Sequence, residues 1–295
     1  MPRVAVVGTV SFTSTCIRAL SSANLPPVGV LGRKSSPLNT DYEDVVAVAR
    51  GLGLRAEYVH KLATAEEIAI LNELRPDVLL VLGWSFLLPT SARSTARLCV
   101  GAHPSPLPIG RGRHPIVWAI ALGLTATALS LFELTDVPDA GPILWQRSLP
   151  IGERDDAAAV YAGISRLASD GVPELVRQVA SGTLAPRPQD ESRAVVWRRR
   201  SNEDGRIDWR MSSVAIDRLI RALARPYVGA HIAHTDGPRA IWRSEIPPRD
   251  PRWTAIEPGR VLQVDGTRIR VRTGDGAIDL VDHELSKVPA VGAYL

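Results

Sequence analysis

Apolar and polar positions follow two periods in the first half of the chain. Val4–Val7 is a β-branched apolar run that stops at Gly8, and Val28–Leu31, Val78–Leu82 and Leu98–Ala102 repeat the pattern. Short apolar runs bounded by glycine, proline and polar residues predict buried strands. Between them the period lengthens. Thr13–Ser21 sets Ile17 and Leu20 on one side, and Tyr42–Arg50 and Glu66–Leu74 read as helices, the second stopped by Arg75-Pro76-Asp77. A further helix runs from Pro115 to about Leu122, Ala126–Leu134 and Ile143–Leu149 read as strands, and Asp155–Ser181 is a long helical stretch. This alternation predicts an α/β fold with a doubly wound, mainly parallel Rossmann-like sheet. Such sheets bind ligands at the carboxyl ends of their strands. Leu98–Ala102 delivers His103 to that edge.

The pattern changes after the polar stretch around Pro186 and Pro188. Ile207–Trp209 reads as a short strand and Ser213–Leu223 as an amphipathic helix. Val261–Val264, Arg268–Val271 and Ala277–Val281 read as short strands separated by the turn residues Asp265-Gly266 and Gly274-Asp275-Gly276, which suit hairpins. A smaller C-terminal OB-like β-barrel domain is expected. The expected boundaries are a catalytic domain over 1–190, a linker over 191–205 and the barrel over 206–295.

Composition narrows the function classes. The 295 residues carry a formal charge of +4, a mild excess. Lysine occurs only at 34, 61 and 287, so the arginine bias reads first as genomic base composition. An anionic ligand remains a reading for local clusters. Cys16 and Cys99 make neither a disulfide framework nor a metal cluster, and His231 and His234 lack a third ligand at metal spacing, so no metal is expected. No run is apolar and long enough to span a bilayer. Met1-Pro2-Arg3 leads straight into a strand rather than a signal peptide. A cytoplasmic protein without a membrane partner is expected. Gly8 stands in the first βα turn without a GxGxxG pattern, which argues against a dehydrogenase.

The chemistry concentrates in two stretches. One runs Gly101-Ala102-His103-Pro104-Ser105-Pro106-Leu107-Pro108, then Arg111-Gly112-Arg113-His114-Pro115 to Trp118; the other is Asp136-Val137-Pro138-Asp139-Ala140-Gly141-Pro142. A strand-end histidine and a later loop aspartate can form the acid/base pair that acyl transfer to an amine requires. The alternatives are a satisfied structural histidine and an aspartate that only shapes its turn. Arg111 and Arg113 suit a diphosphate, or a solvated loop. Trp84 suits ring stacking or anchoring. Asn39, Asp41 and Tyr42 suit a sugar nucleotide or the cap of the next helix. The run Arg198-Arg199-Arg200 reads as a solvated linker face.

These stretches resemble the formyltetrahydrofolate-dependent formyltransferases, which include sugar N-formyltransferases and methionyl-tRNA formyltransferase. Gly8-Thr9 with Ser11-Phe12 is similar to the family's first turn. Gly83-Trp84-Ser85 with Leu88-Pro89 is similar to its folate-side loop. His103-Pro104-Ser105, Leu107-Pro108, Arg111-Gly112 and Trp118-Ala119-Ile120 resemble its signature loop, and Asp139-Ala140-Gly141 the loop of its catalytic aspartate. Glu203-Asp204-Gly205, Ile207-Asp208-Trp209, Arg221-Ala222, Pro226-Tyr227 and Gly229-Ala230 resemble the opening of its C-terminal domain. The resemblance implies His103 as general base with Asp139 as partner. N10-formyltetrahydrofolate is the implied co-substrate, held by Gly83, Trp84, Ser85, Phe86, Leu88, Val137 and Asp139. The acceptor is implied at Thr9, Ser11, Phe12, Asn39, Asp41, Tyr42, Arg111, Gly112 and Arg113.

One position departs from the family. Its members usually carry asparagine two residues before the histidine, where the amide helps to hold the formyl oxygen; here that residue is Gly101. Ser105, His114 or backbone N–H groups are candidate replacement donors. Slower chemistry, a changed reaction and a non-catalytic folate-binding module are the other readings. For the acceptor, the segment from Gly32 to Asp44 is polar and mildly acidic, and its Asn-x-Asp-Tyr resembles the sugar N-formyltransferases. An acidic loop suits RNA phosphates poorly. An amino-sugar nucleotide is therefore the expected partner, with methionyl-tRNA as the alternative, supported by the barrel and by Trp197-Arg198-Arg199-Arg200. Hydrolysis of the formyl-folate ranks lower, and a homodimer is left open.

Overall fold

Val4, Val6 and Val7 are β-branched and buried on both faces, as a central parallel strand requires. The computed structural model describes residues 1–36, 40–234 and 237–295; Asn39 lies outside them. In chain order the elements are β1 (Val4–Val7), α1 (Ser11–Ser22), β2 (Gly29–Gly32), α2 (Val45–Gly51), β3 (Ala56–Tyr58), α3 (Ala65–Leu74) and β4 (Val78–Val81). Then come α4 (Thr90–Arg93), β5 (Leu98–His103), β6 (Ile109–Gly112), α5 (Pro115–Ala121), β7 (Ala126–Glu133), β8 (Ile143–Pro150), α6 (Ala157–Ser181) and β9 (Val195–Trp197). The last are α7 (Ser213–Leu223), β10 (Ala230–Ile232), β11 (Arg239–Glu245), β12 (Val261–Asp265), β13 (Arg268–Arg272) and β14 (Ala277–His283).

The chain divides into two compact units. The first comprises Met1–Pro115, Thr127–Leu149 and Ala162–Trp197. Its seven-stranded sheet has the order β3-β2-β1-β4-β5-β7-β8. Pairing from β3 through β5 is parallel, and β7 runs antiparallel to β5. The mainly parallel, doubly wound α/β reading therefore holds. The order reverses between β1 and β4, the crevice where ligands of such folds bind. Thr64 caps α3 in a reciprocal box with Glu67, which fits its polar start.

The second unit comprises Ile116–Ala126, Pro150–Tyr161 and Arg198–Leu295. Its five strands form an antiparallel sheet of order β10-β11-β14-β13-β12, against which α7 packs. Buried Ile216, Leu219, Ile220 and Leu223 form the inner face of α7.

Three local expectations need correction. Ile207–Trp209 is no strand; Arg206 makes a single bridge to His231 and Trp209 lies in a turn. The helix expected from Tyr42 starts at Val45, because the Asp44 side chain caps it by accepting from Ala47 N and Tyr42 is drawn into a bridge with Val10. The run Arg198-Arg199-Arg200 is a solvated face only in part, with Arg198 and Arg199 exposed and Arg200 half-buried, and Arg198 and Arg200 are also engaged. Both guanidinium groups lie over the Trp118 ring, at 5.3 and 4.7 Å, and Arg198 pairs with Asp204.

Candidate active site

β5 ends on His103, and the chain turns through Pro104 to Pro108 and returns as β6. The imidazole is 7 % exposed. Its Nε2 lies 2.8 Å from the Gly110 carbonyl oxygen, and its Nδ1 lies 3.8 Å from Asp139 Oδ1. A nitrogen facing a carbonyl oxygen carries the proton. In the neutral ring Nδ1 therefore keeps its lone pair, on the side of Asp139. Asp139 adopts a left-handed backbone at φ 57°, and its Oδ2 accepts from Gly112 N at 2.8 Å.

The loop that supplies these contacts needs glycine. Gly112 has φ 102°, and a Cβ there would lie 2.2 Å from the Trp197 carbonyl oxygen; one on Gly110, at φ 80°, would lie 2.5 Å from the Trp197 ring. Beneath the turn, Ser130 Oγ donates to Ser105 O at 2.6 Å and Gln146 Nε2 donates to Ser130 Oγ and to Leu107 O. These bonds fasten the turn after His103 to β7 and β8.

The other expected residues fall into three groups. Thr9, Ser11, Asp41, Tyr42 and Gly83 come together at the β1/β4 crevice. Thr9 Oγ1 donates to Gly83 O at 3.0 Å. Ser11 N donates to Asp41 O and Glu43 N to Thr9 O, each at 3.1 Å. The Tyr42 hydroxyl is tied to Lys34 O at 2.7 Å; burial, then Asp44, pushes its pKa upward. Phe12 is buried in α1.

The loop after β4 leaves the same sheet edge as His103, since Val81 pairs with Gly101. Trp84 packs against the core of this unit, as an anchor would, and meets Phe86 edge-on at 5.8 Å. Its indole N–H is buried without a partner among the described residues. Ser85 is half-buried, Leu88 buried and Val137 exposed. An orphaned buried donor beside half-buried aromatic rings fits a ring-shaped ligand that presents an acceptor.

The signature-loop residues divide. Arg113 and His114 are exposed. Arg111 is buried, and four of the five N–H donors of its guanidinium are engaged: NH1 and NH2 bond Glu191 at 2.8 and 2.6 Å, while Nε and NH2 bond Gln189 Oε1 at 3.1 and 2.8 Å. The bond to Glu191 pushes the Arg111 pKa up and the Glu191 pKa down. A diphosphate thus finds Arg113 open and Arg111 taken. Ser105 is fully buried, with its hydroxyl unpartnered among the described residues. Gly101 pairs with Phe132, and a Cβ there would lie 2.7 Å from Leu134 Cδ2 and 2.9 Å from Phe132 Cζ. Two apolar side chains fill the space an amide side chain would need. Gln189 and Glu191 are absent from the sequence reading, because a Gln-Asp-Glu run after two prolines carries no signal of docking.

In a doubly wound α/β unit, His103 at the carboxyl end of β5 meets the loop that carries Asp139, and such a pair can exchange a proton with a bound substrate. Residues 2–176 match the family model "Formyl transferase", and residues 199–293 match "Formyl transferase, C-terminal domain"; the chain belongs to the formyl transferase family. Solved structures with a similar fold include an N-formyltransferase from Helicobacter canadensis in complex with folinic acid and dTDP-3-aminofucose. It is 14% identical, with TM-score 0.72, over 96% of this chain and 100% of that one. HypX from Aquifex aeolicus in complex with tetrahydrofolic acid is 19% identical, with TM-score 0.66, over 97% of this chain. This chain spans only 44% of HypX. Methionyl-tRNA formyltransferase from Clostridium thermocellum is 18% identical, with TM-score 0.61, over 84% of this chain and 94% of that one. Among the described residues no helix is long and apolar enough to cross a membrane.

Proposed function

We propose that this enzyme transfers a formyl group from N10-formyltetrahydrofolate to the amino group of an amino-sugar nucleotide. The observation that carries the reading is the one open nitrogen of His103, with Nε2 committed to Gly110 O and Nδ1 3.8 Å from Asp139. Bound formyl-folate supplies the electrophilic carbon. Gly83, Trp84, Phe86 and Val137 would hold its ring side, and the Trp84 N–H, unpartnered among the described residues, would offer it a donor. His103 Nδ1 takes a proton from the attacking amine. Asp139 lies on that same nitrogen's side, so its carboxylate stabilises the imidazolium as it forms. The Gly110 carbonyl fixes the tautomer. His103 then returns the proton to the departing nitrogen. With Ser105 buried and Gly101 bare, the formyl oxygen takes its donors from His114 or from loop N–H groups.

The acceptor reading is supported by charge. Residues 1–197 carry equal numbers of basic and acidic side chains, so the whole +4 lies in 198–295. That surplus favours the second reading, methionyl-tRNA, but several of its arginines are paired locally: Arg198 with Asp204, Arg210 with Asp208, Arg252 with Asp250, and Arg268 and Arg270 with Asp279. Paired arginines release few counterions to phosphates.

Single-turnover assays with N10-formyltetrahydrofolate test the reading. A dTDP- or UDP-linked amino sugar is expected to accept the formyl group, and methionyl-tRNA is not. His103→Ala is expected to fold and to lose ~10²–10⁴-fold in turnover. Efficient formylation of charged tRNA reverses the order of the two acceptors, and near-normal turnover by His103→Ala removes the base assignment.

A further inference from the structure

Gln189 stands in the segment after α6, and every hydrogen-bonding position of its amide is used. Nε2 donates to Asp139 O at 2.8 Å and to Gly141 O at 2.7 Å. Oε1 accepts from Arg111 Nε at 3.1 Å and NH2 at 2.8 Å. Glu191 takes one donor each from NH1 and NH2 of that guanidinium. The next residue after Arg111, Gly112, donates its N–H to Asp139 Oδ2. Asp139 is thus held at its carbonyl by Gln189 and at its carboxylate by Gly112.

This grip matters because of the backbone it restrains. Asp139 has φ 57°, a conformation that non-glycine residues adopt uncommonly and keep only when their surroundings hold it. Two residues on, the backbone has no slack: a Cβ on Gly141 would lie 1.8 Å from Glu133 O. One side-chain amide bridges both carbonyls of this tight corner. Its own position is set by Arg111, which is buried and fixed by Glu191 at its far end. The chain Glu191–Arg111–Gln189 therefore ends on the residue whose carboxylate faces His103 Nδ1.

We propose that Gln189 is a positioning residue for formyl transfer. It acts through Asp139 by holding the carboxylate at its distance from His103, with Arg111 and Glu191 as the outer support. The inference rests on the His103–Asp139 reading given above. Displacing a catalytic partner by about an ångström costs on the order of 10²-fold in rate. Such a loss should fall on kcat rather than on KM, because all four hydrogen bonds of the Gln189 amide go to protein atoms.

Two variants separate the parts of its role. Gln189→Met keeps the shape and removes all four bonds. Gln189→Glu keeps the acceptor for Arg111 and removes both donors to the Asp139 loop. Both are expected to lower kcat by roughly 10–100-fold, with the acceptor KM within about twofold. Asp139→Asn combined with Gln189→Met should be no slower than Asp139→Asn alone, since the second change has nothing left to displace. In the resting enzyme, the ring ¹⁵N resonances of His103 should move in Gln189→Met in the direction they move in Asp139→Asn. That measurement needs no turnover, so it decides the role of Gln189 even if the protein formylates none of the amines tested. Full kcat in both variants, losses that add to those of Asp139→Asn, or unmoved His103 resonances overturn the proposal. If Gln189→Met fails to fold, Gln189→Glu carries the same three readouts.

Discussion

At the residue scale, Gly101 separates this enzyme from its family pattern. A missing amide invites the idea that asparagine can be restored. The packing argues otherwise, because a Cβ at 101 would approach Leu134 to 2.7 Å and Phe132 to 2.9 Å, and Phe132 is 2 % exposed. Overpacking a core of this kind costs ~1–3 kcal/mol, or about 2–4 °C per kcal/mol in melting temperature for a unit of this size. Gly101→Asn is therefore expected to melt several degrees lower without gaining activity, and Leu134→Ala in the same chain should recover part of the loss. A variant that melts at or above the parent temperature and turns over faster contradicts the filled-pocket account. The sequence exposed the gap at 101 but not its filling, since no local pattern says that residue 132 faces residue 101 across two strands. His103 and Asp139 were legible for the opposite reason. A histidine at the end of a predicted strand and an Asp-Ala-Gly turn are local signals, but their 3.8 Å meeting is not, since β7 runs antiparallel to β5 and the Asp139 loop leaves beside Cys99, at the far end of β5 from His103.

At the scale of elements, apolar runs and helical periodicity were legible, while several strands without such a run were not. The central strands and the helices between them follow from apolar runs and 3.6-residue spacing. β6 reads Ile109-Gly110-Arg111-Gly112, and two glycines in four residues look like a loop. β9 and β10 are three residues long. β11 has alternation interrupted by register shifts on either side of Arg243, so its period of two is lost to the eye. The β6–β9 pair is also the element on which the site leans. Gly112 needs φ 102°, stands where a Cβ would strike Trp197 O at 2.2 Å, and gives its N–H to Asp139. Gly112→Ala cannot keep both the ladder and the carboxylate bond. It is expected to lose on the order of 10²-fold or more in kcat, while circular dichroism retains the signal of the seven-stranded sheet and the long helices. Wild-type turnover in Gly112→Ala removes the loop from the mechanism.

At the scale of the whole molecule, the charge surplus and most of its neutralising ion pairs occupy residues 198–295, and those pairs set how this region meets acid. Asp204 is the clearest case. Arg198 bonds it through both guanidinium ends, and Ser201 donates its N–H at 2.6 Å. The Arg198 bond and then the Ser201 bond hold its carboxyl far below the usual carboxylate range. A folded carboxyl that binds its proton more weakly than the unfolded one stabilises the fold above the unfolded value of 3.8. That contribution fades as pH falls through the folded value. The Asp204 carboxylate holds Arg198 over the face of Trp118, while its backbone carbonyl accepts from Arg200, so its protonation also loosens the Arg198 side of that packing. Arg198 is 62% exposed, which screens the pair and keeps the effect modest. Asp204→Asn should therefore lower the urea midpoint at pH 7, and the gap to the parent should narrow steadily from pH 4 toward pH 2. Two midpoint curves that stay parallel over that range would assign the stability of this region to packing alone, with Asp204 a bystander.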